Sequence, residues 1–155
     1  MTEVDNKTKG ILVAVYGSLR KGFGNSPLLK QSEFISTTKT KDRFLMYDVG
    51  SFPMMFKPDD SSLGSRVAVE VYEVDKHTLA TLDMLEGVPN LYNRYVINNI
   101  EGLEGENVYM YITNPEYYEE VDKKCTMVKS GDWLKHRPDL KKLYDLSEER
   151  EKRLA

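Results

Sequence analysis

Arg66-Val67-Ala68-Val69-Glu70-Val71-Tyr72-Glu73-Val74-Asp75 is the stretch on which the fold turns. Val67, Val69 and Val71 fall on one side of an extended chain, Ala68, Glu70 and Tyr72 on the other. A period of two is that of a strand with one buried face. The pattern breaks at Asp75, which reads as a helix N-cap, with Val74 and Leu79 in the two hydrophobic-staple positions around it. The helix is expected to run to about Glu86, where Gly87 and then Pro89 mark a C-terminus.

Elements read outward from this unit in both directions. Ile11–Tyr16 is a continuous apolar run closed by Gly17, the signature of a buried strand. Ser26-Pro27 opens a short helix, serine as cap and proline in first position. Arg43–Val49 reads as a strand closed by Gly50, and Phe52-Pro53 through Pro58-Asp59-Asp60 as loop. Tyr95–Ile100 and Val108–Thr113 read as a strand pair across the Gly102–Gly105 turn region. Asp139–Leu154 reads as a terminal helix carrying Leu140, Leu143, Tyr144 and Leu146. Strand, short helix, several strands, one internal helix and a helical tail do not make a regular βαβ alternation. The order predicts an α+β protein with a mostly antiparallel or mixed, curled sheet.

Composition sets the frame. The 155 residues are 40% hydrophobic and 30% charged, which suits one domain of ordinary size with a core and excludes a disordered chain. We expect a single domain over residues 1–155, with its core at about 10–135 and a helical tail at 136–155. No apolar stretch approaches the roughly 18 residues of a membrane span. Met1–Lys9 carries neither a signal-peptide nor a transit-peptide pattern. The one cysteine, Cys125, excludes an internal disulfide and a cysteine-based metal site, and a cytoplasmic location is expected. The net charge of −3 gives no sign of nucleic-acid binding, and neither nucleic acid nor membrane is expected as a partner. From Lys123 onward ten basic and six acidic residues leave the tail at +4. Either a partner contact or a solvated amphipathic helix accounts for that asymmetry.

Several chemistries find no support. His77 and His136 stand far apart and in no ligand spacing, and there is no Gly-x-Ser-x-Gly. Gly17-x-x-x-x-Gly22 starts like a phosphate loop, but Phe23-Gly24 stands where lysine and serine or threonine are required. Two readings of Gly17–Asn25 then stay open. One is a cradle of backbone N–H groups for an anion or oxyanion, and the other is a tight turn at a strand exit. In the first, Gly17 has no room for a side chain because ligand and backbone meet there.

Glu86 is the second informative position. On the helical wheel it falls close to Leu79, two turns earlier, and to Leu82, one turn earlier, and so lies on the apolar face of the helix. Burial and the helix C-terminus both favour its protonated form, which raises its pKa toward the range useful to a general base or acid. A Glu86–Arg94 ion pair or a frayed, exposed end are the alternatives. Asp83, farther round the same wheel, is expected to be solvated or capping.

Val15-Tyr16-Gly17-Ser18-Leu19-Arg20-Lys21-Gly22, with Gly24-Asn25 after it, resembles the signature loop of the γ-glutamylcyclotransferase-like superfamily, in its γ-glutamylamine cyclotransferase (AIG2-like) branch. Leu82-Asp83-Met84-Leu85-Glu86-Gly87 and Tyr92-Asn93-Arg94 resemble the segment that carries that family's catalytic glutamate. Phe52-Pro53 and Ser130-Gly131-Asp132-Trp133-Leu134 are similar to two further motifs, all in family order.

The resemblance implies a small mixed β-barrel flanked by helices, with loop and glutamate meeting in one cavity. It implies a γ-glutamyl cyclotransferase that acts on a small γ-glutamyl amide or amine, without cofactor or metal, and releases 5-oxoproline and a free amine. Glu86 would be the catalytic base, Tyr16, Gly17, Ser18 and Leu19 the substrate-binding residues, and Asn25, Tyr92 and Arg94 further pocket residues. Tyr92 and Arg94 would orient Glu86 or close the pocket, and Trp133 would be core. The alternative is a non-catalytic protein that keeps the cavity and binds a small ligand or regulates a partner. No particular protein partner is implied.

Overall fold

The Arg66–Val74 stretch forms the strand its alternation predicts, and it lies deep inside a sheet. In order, the strands are β1 (Ile11–Val15), β2 (Glu33–Asp48), β3 (Pro53–Phe56), β4 (Ser65–Val74), β5 (Tyr92–Ile97), β6 (Val108–Thr113) and β7 (Thr126–Met127). The helices are α1 (Lys76–Leu85), α2 (Tyr118–Lys124) and α3 (Trp133–His136), with 3-10 turns at Ser26–Leu29 and Pro115–Tyr117. This computed structural model describes residues 10–17, 19–20, 26–29, 31–50, 52–60, 62–140, 142, 146 and 150. The expected Asp139–Leu154 helix falls largely outside them.

The sheet order is β3-β2-β4-β1-β6-β5, with β7 on β2. β1 is antiparallel to β4, with Val13 opposite Tyr72, and parallel to β6, with Val13 opposite Tyr109. The sheet is therefore mixed, as expected. It curls without closing into a barrel, because β3 and β5 end the order. The curl comes from β2, a 16-residue strand with irregularities between Phe34 and Ser36 and between Lys39 and Arg43. Such bulges bend and twist a strand. The first part of β2 pairs with β4, and its end, Leu45–Asp48, pairs with β3.

Three expectations need correction. β2 begins at Glu33, well before the expected start at Arg43; its early part, with Thr37, Thr38, Lys39 and Lys41, is too polar to announce itself. Pro53–Phe56 is not loop but an edge strand, Asp48 opposite Pro53 and Leu45 opposite Phe56. Proline has no ladder donor and is tolerated there because it is the first residue of an edge strand. The second face of β4 is not solvated either. Glu70 is 0% exposed, and Tyr72 and Val74 pack with Leu19, Leu29, Leu79 and Leu82. One face of the sheet thus packs Val67, Val69 and Val71 with Met46, Met110 and Trp133. The other carries α1.

Candidate active site

Backbone chemistry places Glu86. Asp75 caps the start of α1, its carboxylate accepting from the Thr78 amide at 2.7 Å. At the far end Glu86 is the C-cap and Gly87 takes φ +66°, a left-handed conformation that glycine adopts without penalty. The Gly87 N–H donates to Met84 O at 3.2 Å and the Val88 N–H to Asp83 O at 3.0 Å, the paired bonds of a Schellman motif. The following turn is pinned by the Asn114 side chain, which donates to Pro89 O and Asn90 O at 2.7 and 2.8 Å. Glu86 is thereby fixed at the C-terminal end of α1.

It faces a cavity of about 320 Å³ lined by Ala14, Val15, Tyr16, Gly17, Leu19, Phe52, Pro53, Leu85, Glu86, Leu91, Tyr92 and Tyr111. Tyr16, Tyr92 and Tyr111 are the buried part of its aromatic wall, and Phe52 is the exposed part. Among the described residues no cation pairs with the Glu86 carboxylate. Burial alone pushes Glu86 up to about 7, because a carboxylate removed from water prefers its neutral form. Burial, Tyr92 and the Glu86 charge push the Tyr16 hydroxyl up, and burial followed by the Glu86 charge does the same to Tyr92. Both stay neutral phenols. The Tyr16 hydroxyl donates to the Tyr111 carbonyl at 2.6 Å, which locks its ring in the wall. The Tyr92 hydroxyl is 3.4 Å from the Pro53 carbonyl, longer than a well-formed O–H···O bond.

From the glycine loop, Gly17 and Leu19 line this cavity. The Arg20 N–H closes a turn onto Gly17 O at 2.9 Å. The Arg20 side chain is buried, its Nε 3.1 Å from Glu70 Oε2, and Glu70 also accepts from Tyr72 Oη at 3.0 Å. Arg20 therefore anchors the loop to β4. Gly17 lacks room for a side chain even before any ligand is considered. A Cβ there would lie 2.8 Å from Pro53 Cδ, so the proline ring occupies the space.

The structure brings Tyr16, Gly17, Leu19, Tyr92 and Glu86 together; Leu19 also packs under α1. Ser18 and Asn25 lie outside the described residues. Arg94 is not in the cavity wall and does not pair with Glu86. Its Nε and Nη2 donate to Asp83 at 2.9 and 3.0 Å. Asp83 is accordingly half-buried and bonded, not solvated or capping. Trp133 is core, 1% exposed, at the start of α3, which Asp132 caps. Sequence reasoning missed Tyr111: the expected strand began at Tyr95, whereas β5 begins at Tyr92, so Arg94 and Tyr111 opposite it were not placed together. Among the described residues no three His, Cys, Asp or Glu side chains form a metal-holding group.

The sequence profile of the gamma-glutamyl cyclotransferase, AIG2-like family matches residues 13–135, a span that holds this whole cavity. The chain belongs to that family. It is 38% identical over 122 residues to a candidate gamma-glutamylcyclotransferase of Vibrio cholerae, covering 79% of this chain and 94% of the relative. Over 115 residues it is 36% identical to gamma-glutamylaminecyclotransferase A of Danio rerio, covering 67% and 70%. An AIG2-like protein of Mus musculus shares the fold with a TM-score of 0.64 at 24% identity, over 80% of this chain and 89% of that one. The chain is an enzyme of the γ-glutamylcyclotransferase kind. Among the described residues no helix is long and apolar enough to cross a membrane.

Proposed function

We propose that this family member cyclises a γ-glutamyl amide, releasing 5-oxoproline and the amine, with Glu86 as the proton carrier. The observation that carries the reading is the Glu86 carboxylate facing a small tyrosine-walled cavity with no cation beside it among the described residues, a setting whose burial pushes it up to about 7.

The chemistry needs such a group. The substrate's α-nitrogen is an ammonium and cannot attack until it gives up a proton, which Glu86 accepts as carboxylate. The freed amine attacks the γ-carbonyl carbon, the C=O π pair moves onto oxygen, and a five-membered tetrahedral intermediate forms. As it collapses, the C–N bond to the leaving amine breaks and Glu86 returns a proton to that nitrogen. Two protons leave the α-nitrogen overall and two arrive on the released amine, so Glu86 ends as it began. Because the nucleophile is tethered, the cavity's task is to fold the substrate into attack geometry. The backbone at Gly17–Leu19 and the neutral Tyr92 hydroxyl are the donor candidates for the oxyanion or the substrate α-carboxylate.

The test is a panel of γ-glutamyl amides with their N-acetylated analogues, assayed by mass spectrometry in labelled water. 5-Oxoproline without solvent oxygen, from the free-amine members only, is the expected result. Glutamate carrying the water label would identify a hydrolase. Saturable binding without any product would identify a binder.

A further inference from the structure

One cluster beside the cavity is left unused by this mechanism. Asp83 lies three residues before Glu86 on α1, one helical turn away. Its carboxylate receives Arg94 Nε and Nη2 from β5 and, at 2.7 Å, Tyr111 Oη from β6. Arg94 and Tyr111 are direct cross-strand partners in the β5–β6 register. The carboxylate therefore ties a helix to two strands at one point. Arg94 also lies over the Tyr109 ring, 4.6 Å from its centre. Tyr111 is the member that matters to the cavity, because its ring is part of the wall and its carbonyl holds the Tyr16 hydroxyl. An exposed ion pair would contribute little. This one is bidentate, only 27% and 24% exposed at its two side chains, and it grips the tip of a tyrosine.

We propose that Asp83 is a positioning residue: with Arg94 it clamps Tyr111, and through it Tyr16, as the wall against which Glu86 works, and it holds the Arg94 charge away from Glu86. The inference rests on the cyclotransferase reading for its kinetic arm only. Among the described residues the groups facing Glu86 are Tyr16, just past the end of β1, Tyr92 from β5 and Tyr111 from β6. Asp83 with Arg94 is the charged pair beside it. With both charges present the pair is neutral, and burial is the cause of the Glu86 shift. Asp83→Asn leaves the guanidinium uncompensated, and Arg94→Met leaves the carboxylate uncompensated. Tyr111→Phe removes the grip and changes no charge.

The experiment has two arms. In the first, the Glu86 carboxyl is titrated by carbon-13 NMR, with Glu86→Gln assigning the signal. This arm needs no substrate. The midpoint falls in Asp83→Asn and rises in Arg94→Met, by about half a pH unit for a single uncompensated charge about one helical turn away. It returns to the wild-type value in the double variant. In the second arm, Asp83→Asn and Tyr111→Phe each lower kcat/KM by about 10–100-fold, the scale of a misplaced site. The double variant is no worse than the worse single one. Additive losses, unchanged kcat/KM with only a lower Tm, or an unmoved Glu86 midpoint in both charge variants would overturn the proposal. If the wild type yields no 5-oxoproline from any panel member, the cyclotransferase reading fails and the titration arm still decides this one.

Discussion

Glu70, fully buried, and Glu86, half-buried in the cavity wall, are two carboxylates withdrawn from bulk water in the same small protein and provided for in opposite ways. Glu70, on the central strand, meets the Arg20 guanidinium and the Tyr72 hydroxyl. Glu86, at the end of α1, meets three tyrosines and, among the described residues, no cation. A nearby cation, Arg94, is given to Asp83 instead. A carboxylate with a fixed counter-charge is held in place and serves as an anchor. One left without a counter-charge is destabilised as an anion and can exchange a proton near neutral pH. The first holds the glycine loop and the second faces the space beside it.

The largest effect should come from breaking the anchor. Removing one partner of a buried ion pair typically costs about 3–5 kcal/mol, and Arg20→Met should approach that figure in denaturant unfolding. Arg20→Met combined with Glu70→Leu should recover much of the loss, because no buried charge is then stranded. At Glu86 the same logic reverses. Glu86→Gln should leave the fold intact and lower turnover by ~10²-fold or more, the scale of a positioned acid–base group. In the wild type, kcat/KM should rise with pH to a midpoint near the Glu86 value of about 7, since the carboxylate is the form that accepts the proton. A variant that turns over like wild type would remove Glu86 from the mechanism.

A third effect separates the two glutamates without any substrate. The Glu86 midpoint is raised from 4.5 to about 7 on folding, so between these values the native state holds more protons than the unfolded chain. Stability contributed by this site is therefore lost as pH rises through that window, and it is flat below and above. At about 1.4 kcal/mol per unit the total is at most between about 3 and 4 kcal/mol. The Tm of Glu86→Gln relative to wild type should climb between pH 4.5 and about 7 and then level off. A difference independent of pH would mean that Glu86 is well solvated in the native state.

How much of this was legible in the sequence follows from what each signal spans. The placement of Glu86 is readable, because caps, staple and helical period are all local to residues 74–89. The second face of β4 is not, because the partner of Glu70 stands 50 residues earlier, and alternation carries no information about what will cover a strand. The helical wheel sets Asp83 where the apolar face ends, which points to solvent. Its partners come from strands 11 and 28 residues away. β3 is hidden by Pro53, whose missing donor argues against a strand everywhere except at an edge. The resemblance supplied the pairing of loop and glutamate that local patterns lacked.

The smallest predicted effect tests whether the anchored loop is held as tightly as the ion pair suggests. Gly17 has no positive φ, so alanine would suffer no backbone strain there, and any cost must come from contact. Its Cβ would lie 2.8 and 3.0 Å from Pro53 Cδ and Cγ, well inside ordinary van der Waals distance. A proline ring cannot rotate aside, so either the start of β3 or the loop must move. Arg20 fastens the loop to β4 three residues on, which leaves β3 to yield, and with it Phe52 and Pro53 in the cavity wall. Overpacking of this kind costs about 1–3 kcal/mol, so Gly17→Ala should lower Tm and reduce turnover together. Pro53→Ala opens the space: in that background Gly17→Ala should cost markedly less, a non-additivity readable in a four-member thermal-unfolding cycle. If Gly17→Ala costs the same in both backgrounds, Pro53 is not what excludes the side chain. The space beside Gly17 would then be reserved for a ligand, and the loss would appear in KM.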